Sequence, residues 1–156
     1  MPIDRVREYL KRWGKDADVR ELPEKTATVA EAAGALGVSP ARIAKSLSIR
    51  IKDRVLVLVT AGDMRVDNLK FKGCFGRRPR MLAADEVLEI TGYKVGGVCP
   101  FGLPEDVPVY LDNSLRRFKT VFPACGTDNS LIEVTPEELH EYARNTGWVD
   151  VCHPYE

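Results

Sequence analysis

Apolar residues recur at helical spacing where the chain begins: Ile3, Val6, Leu10 and Trp13 would share one face, and Gly14 would stop the run. The pattern predicts an amphipathic helix. A short strand, DVREL, follows, and Thr28 with Glu31 three residues on is a capping-box pattern opening a helix over VAEAAGALG that Gly37 would close. Ser39 before Pro40 restarts a turn of helix, PARIAKSL, expected to end at Lys45. The period then shortens. SLSIRI and VLVLVT flank KDR as two antiparallel strands joined by a tight turn, and the second, apolar on both faces, belongs inside a sheet. VDNLKFKGCFG and AADEVLEITG read as helices ended by glycine, with a strand RPRML between them. VPVYLD, KTVFPA and SLIEV supply further strands. Thr135, Pro136 and Glu138 cap a last helix, PEELHEYARN, and WVDV adds an edge strand. Strands and helices interleave without strict βαβ repetition. The expected class is therefore α+β, a mixed, partly antiparallel, curved sheet flanked by helices, in one domain over residues 1–156.

Composition adds limits to this frame. With 156 residues, 44% of them hydrophobic, the chain is long enough to bury a core without disulfides. Its longest purely apolar run, VLVLV, is too short for a bilayer, and the amino terminus is charged throughout, so a cytoplasmic location is expected. Cys74, Cys99, Cys125 and Cys152 are widely spaced, form no C-x-x-C pair, and have only His140 and His153 as further soft ligands. No metal or cofactor is expected from that spacing. The neutral net charge argues against a protein that coats nucleic acid indiscriminately. The distribution is uneven. From Val121 onward seven acids face Arg144 alone, leaving that segment at about −6 and the remainder at about +6. Within the positive part, RVDNLKFKGCFGRRPR (Arg65 to Arg80) and RRFK (Arg116 to Lys119) concentrate the cations, as a solvated helix face or as a docking surface for phosphates.

The candidate chemistry starts at YKVGGVCPFGLP, where Gly96, Gly97, Pro100, Gly102 and Pro104 break an apolar run within a dozen residues. Glycine removes the Cβ that keeps ligands off the main chain and proline fixes φ, so this loop is both shaped and approachable. Cys99 within it invites a thiol nucleophile, yet no base stands nearby in sequence, and a small buried thiol packing the loop fits better. There is no G-x-S-x-G elbow, no P-loop, and no G-x-G-x-x-G after a strand. Lys45 is different. At the junction of a predicted helix and an apolar strand it would be half buried, so its stem either snorkels to solvent or its amine meets an anion or a polarised carbonyl. Ser46 and Ser48 beside it are polar partners or ordinary strand residues.

Four stretches, ATVAEAAGALGVSPARIAKSLSIRI, AGDMRVDNLK, TGYKVGGVCPFGLP and VFPACGTDNSLIEVTPEEL, together resemble the YbaK/prolyl-tRNA synthetase-associated family of aminoacyl-tRNA editing domains. The resemblance runs from about Arg5 to the C-terminus. It implies a freestanding deacylase that cuts the ester between a wrongly attached small amino acid and the terminal adenosine of tRNA, with tRNA for proline first among candidates and prolyl-tRNA synthetase as a possible partner. The family's essential lysine matches Lys45, its adjoining hydroxyl position Ser46, and its glycine loop Gly96, Gly97, Pro100 and Gly102, with Cys99 at the fourth position of the motif. Thr26 and Thr28 are further pocket candidates. The cysteine-removing branch, in which the substrate's own thiol attacks, carries an aspartate where this chain has Leu131. The alanine-removing branch carries a histidine near a turn where PACGTDNS supplies none. Asp128, Asn129 and Ser130 are therefore the residues expected to read the amino acid, which stays open among cysteine, alanine, serine and threonine. Two rival readings remain: a non-catalytic module that binds a tRNA end or a synthetase, and a thiol hydrolase using Cys99.

Overall fold

The computed structural model describes residues 1–155. Helix α1 (Pro2–Leu10) buries Ile3, Val6 and Leu10, and a tight helical turn over Lys11–Trp13 carries it to Gly14, whose left-handed φ of 67° ends it. After β1 (Arg20–Glu21), helix α2 (Val29–Leu36) opens on the expected reciprocal cap. Glu31 N–H donates to the Thr28 hydroxyl, and Thr28 N–H donates to the Glu31 carboxylate.

The expected helix ending at Lys45 is shorter than the sequence implied. A single 3-10 turn, Pro40–Arg42, gives way to strand β2 (Ile43–Ile51), which carries Lys45 as its third residue. Tertiary pairing overrides the local signal: β2 is in register with β3 (Arg54–Ala61) along eight residue pairs, a gain that one more helical turn cannot match. The chain reverses between β2 and β3 at Lys52, whose φ is 57°.

There follow β4 (Met64–Val66), α3 (Asn68–Phe75), β5 (Arg80–Met81), α4 (Ala84–Thr91), β6 (Val109–Asp112), β7 (Phe122–Pro123), β8 (Ser130–Leu131), α5 (Pro136–Tyr142), β9 (Gly147–Val149) and β10 (Cys152–Pro154). The main sheet has the order β5-β2-β3-β6-β9, with β7 also on β2. It is mixed: β3 and β5 run antiparallel to β2, whereas β7, β6 and β9 pair parallel to their neighbours. The protein is thus α+β, with β3 buried from Val55 to Ala61 at the centre. Two small antiparallel pairs, β1 with β8 and β4 with β10, flank the sheet.

Alternation along β2 divides its side chains between two cores. Ala44, Ser46 and Ser48 stand opposite Ala61, Val59 and Val57, on the face packed with Val6, Leu10, Tyr93 and Phe101. Lys45, Leu47 and Ile49 stand opposite Thr60, Leu58 and Leu56, on the face packed with Phe71 and Cys152 and covered by β4 and β10. No helix is long and apolar enough to cross a membrane among the described residues.

Candidate active site

One edge of β2 is occupied by β3 along its length, so β5 and β7 share the other, and they do not meet. β7 pairs at Ile43 and Ala44, β5 at Ile49 and Arg50. Leu82 N–H donates to the Ser48 carbonyl at 3.2 Å, which shows that the main-chain groups of the even-numbered residues turn toward this outer edge. The same alternation turns Ser46 N–H and C=O into the gap between the two short strands. The gap opens into a cavity of about 340 Å³, at the small end of ligand-sized sites. Its rim is made by the approach to α2 on one side, and by β5 and the glycine loop on the other.

Three hydroxyls in this lining are buried without a hydrogen-bond partner: Thr26 Oγ1, Ser46 Oγ and Ser48 Oγ. An unsatisfied buried hydroxyl costs about 1–3 kcal/mol, so three around one cavity is a large concession by the fold. Among the described residues Lys45 is the only ionisable one lining the cavity, and no carboxylate, imidazole or thiol joins it. Its side chain leaves β2 on the face opposite the serines, and its amine donates to the Met64 carbonyl and, at 3.2 Å, to the Tyr155 hydroxyl. The Tyr155 ring centroid lies 5.0 Å from that amine. A cation therefore stands beside the cavity, and among the described residues it is held by neutral oxygens.

The glycine loop divides at its first two residues. Gly96 lines the cavity with φ at +91°, and a Cβ there would come within 3.0 Å of Ala27 Cβ. Gly97 faces inward. A Cβ on it would lie 2.9 Å from the Gly126 carbonyl oxygen and 3.0 Å from Thr127 Cα, and its own N–H is already given to the Lys94 carbonyl. The sequence reading had Gly97 bare so that a ligand can approach; the geometry makes it bare so that two backbone turns can touch.

Val95 and Val98 line the cavity beside Gly96, and three other loop residues lie behind it. Cys99, Pro100 and Gly102 do not line the cavity. Cys99 is fully buried against Tyr93 and Phe101, and burial pushes its thiol up to about 12, so it packs as an uncharged group. The Gly102 carbonyl accepts from the Arg5 guanidinium, and that guanidinium lies 4.7 Å from the Tyr93 ring centroid, which fastens the back of the loop to α1. No three His, Cys, Asp or Glu side chains converge as a metal site would need among the described residues.

Asp128, Asn129 and Ser130 are likewise outside the lining, and their bonds are internal. Thr26 N–H donates to the Asp128 carbonyl at 2.6 Å, Leu22 N–H to the Asn129 carbonyl at 2.8 Å, and the Ser130 hydroxyl meets that of Thr127. This turn clamps the segment that carries Thr26. Thr28 lines the cavity, but its hydroxyl is spent on the helix cap. Sequence reasoning undervalued two contributors. Ser48 follows from Ser46 once both are on one strand, since a period of two puts them on one face. Leu131, 2% exposed, is part of the apolar wall, and only the fold brings it there.

Comparison with known proteins decides the family. The model of the aminoacyl-tRNA editing domain matches residues 23–142, a span that contains every residue of the cavity from Thr26 to Leu131. The chain belongs to the aminoacyl-tRNA editing domain family. It is 52% identical over 157 residues to YwhH, an uncharacterized protein of Bacillus subtilis, covering all of both chains. The proline–tRNA ligase of Bacillus licheniformis is 32% identical over 143 residues, which are 88% of this chain and 25% of the ligase. Among solved structures, a candidate trans-editing enzyme for prolyl-tRNA synthetase superposes with a TM-score of 0.87 at 33% identity, covering 97% of each chain. In this editing domain α1, β9, β10 and Tyr155 lie outside the matched span.

Proposed function

We propose that this chain is an aminoacyl-tRNA deacylase, acting in trans in the cytoplasm on tRNA that carries a wrongly attached small amino acid, with tRNA for proline as its first substrate. The observation that carries the reading is the set of three hydroxyls, partnerless among the described residues, around a cavity whose one charged lining residue among them is Lys45. Orphaned hydroxyls await hydrogen-bonding partners, and an aminoacyl ester brings an ammonium, a carbonyl and the ribose hydroxyls. The volume admits a small amino acid with part of the sugar. The relationship to proline–tRNA ligases and to a candidate trans-editing enzyme supports the same substrate class.

The chemistry asks little of the protein. A water oxygen, or a nucleophile on the substrate itself, attacks the ester carbonyl carbon; the bond from that carbon to the ribose oxygen breaks, and that oxygen takes up a proton. With no carboxylate, imidazole or thiol among the described residues of the lining, the side chains contribute orientation and charge stabilisation instead of a nucleophile. Ser46, Ser48 and Thr26 fix the aminoacyl group. Lys45 supplies positive charge, either to the oxyanion or to the phosphate of the terminal adenosine.

The test is release of amino acid from a panel of tRNAs for proline charged with cysteine, alanine, serine or threonine. Release from one member names the substrate; release from none, with RNA binding retained, replaces the enzyme by a binding module. A separate prediction concerns the orphaned groups. Thr26→Val removes a hydroxyl that has no partner while keeping the branched shape, so the protein is expected to be as stable as the parent or more so, gaining about 2–4 °C in melting temperature for each kcal/mol of relief. Turnover should fall roughly tenfold, the worth of one hydrogen bond to substrate. A variant that loses stability would show that the hydroxyl is satisfied in the folded protein.

A further inference from the structure

A second concavity lies beyond β5, lined by Arg50, Lys52, Lys72, Arg77, Arg78 and Arg80. These six cations come from four places: the end of β2 with its turn, helix α3, the connection from α3 to β5, and β5 itself. Gly76, with φ at 82°, ends α3 and turns the chain so that Arg77 and Arg78 follow its last turn toward β5. Arg50 pairs with Glu86 at 2.9 Å. The other five make no ion pair among the described residues. Like charges gathered at one surface repel each other and add nothing to folding, so their concentration in a chain of zero net charge calls for a partner of opposite sign.

This cleft and the cavity share a wall. Arg80 and Met81 are the two residues of β5; Arg80 lines the cleft and Met81 the cavity. The same strand β2 runs through both, with Ser46 and Ser48 in the cavity and Arg50 in the cleft. At about 3.3 Å per strand residue, Ser46 and Arg50 are roughly 13 Å apart, a few nucleotides along a single strand.

We propose that this cleft docks RNA backbone phosphates, and that it receives the strand leading to the ester held in the cavity. The inference rests on the deacylase reading for its direction along the strand. Phosphates contacted here position the RNA and carry no sequence information, so the cleft governs affinity and register while the cavity governs which amino acid is removed.

The experiment pairs two measurements on the parent, on Arg77→Gln/Arg78→Gln and on Arg77→Glu/Arg78→Glu. Arg77 and Arg78 are exposed and make no hydrogen bond among the described residues, so all three proteins are expected to melt together. The first measurement is binding of an uncharged acceptor-stem hairpin with a single-stranded 3′ end, followed by fluorescence anisotropy across salt concentrations. The neutral variant should bind at least tenfold more weakly, with a log–log salt slope shallower by roughly 1.5 to 2, and the reversed variant more weakly still. The second is release of amino acid from an aminoacyl-adenosine, which has an ester and no backbone phosphate; the variants should match the parent. Equal hairpin affinity and slope in all three proteins would overturn the proposal. So would an equal loss on the aminoacyl-adenosine, which would place the arginines at the ester. Cleft-dependent hairpin binding with no release from any ester would leave the docking site standing and remove the deacylase.

Discussion

Lys45→Ala lowers kcat/KM for ester release by two to three orders of magnitude, while the fold survives. The expectation follows from the composition of the cavity lining, in which Lys45 is the only ionisable residue among those described. When an ester carbonyl is attacked, negative charge develops on its oxygen, and removing one well-placed donor from such a site costs about 10²–10³ in rate. Among the described residues no second charged side chain lines the cavity to compensate. The structural cost is small by comparison. The amine gives up hydrogen bonds to the Met64 carbonyl and the Tyr155 hydroxyl, at a part-exposed position, for about 1 kcal/mol and a few degrees of melting temperature. Lys45→Met keeps most of the stem and should be as inactive as Lys45→Ala, which separates lost charge from lost packing. Parental turnover in either variant would remove the mechanism proposed for this site. Turnover restored by Tyr155→Phe in the Lys45→Ala background would point to the tyrosine as a rival occupant.

Gly97→Val is expected to destabilise the protein by about 2–4 kcal/mol and to reduce activity in parallel. Its Cβ would come 2.9 Å from the Gly126 carbonyl oxygen and 3.0 Å from both the Gly126 carbonyl carbon and Thr127 Cα. These are backbone atoms, which cannot swing aside as a flexible side chain would. The two turns must separate, and the strain passes to Thr26, because Thr26 N–H is bonded to the Asp128 carbonyl two residues after Gly126. A fall of roughly 5–15 °C in melting temperature should therefore accompany the loss of turnover. The contrast with Thr26→Val is informative, since there stability and turnover move in opposite directions. A Gly97→Val protein with parental melting temperature and no activity would return Gly97 to the substrate-facing position that its sequence motif implied.

The sequence determined the local order because local order rests on local interactions. Thr28 and Glu31, and Thr135 and Glu138, close their capping boxes as the spacing predicted, and Gly14, Gly37, Gly76 and Gly92 end their helices in the left-handed conformation that glycine adopts without strain. The unbroken apolar run of β3 required a place at the centre of the sheet. The motifs containing Lys45 and Gly96 were legible for a related reason: rare residue types in an apolar setting stand out along a chain.

What only the tertiary structure decided is which groups face the same space. Lys45 sits on a strand instead of ending a helix because pairing with β3 outweighs the helical signal of its neighbours, and that change of period sends Lys45 and Ser46 to opposite faces of the sheet. Gly96 and Gly97, adjacent in sequence, serve a cavity and a backbone contact respectively, since one residue of chain rotates the missing Cβ from one to the other. Asp128, Asn129 and Ser130 are polar residues on a turn, and sequence cannot tell which of their groups bond within the fold; here the Asp128 main-chain carbonyl accepts from Thr26 N–H and Asn129 Nδ2 donates to the Leu22 carbonyl, while the Asp128 side chain is exposed. Finally, the cavity exists because β5 and β7 are each two residues long and leave the edge of β2 open between them. A gap between strands is a relation among distant segments, and it leaves no pattern in any one of them.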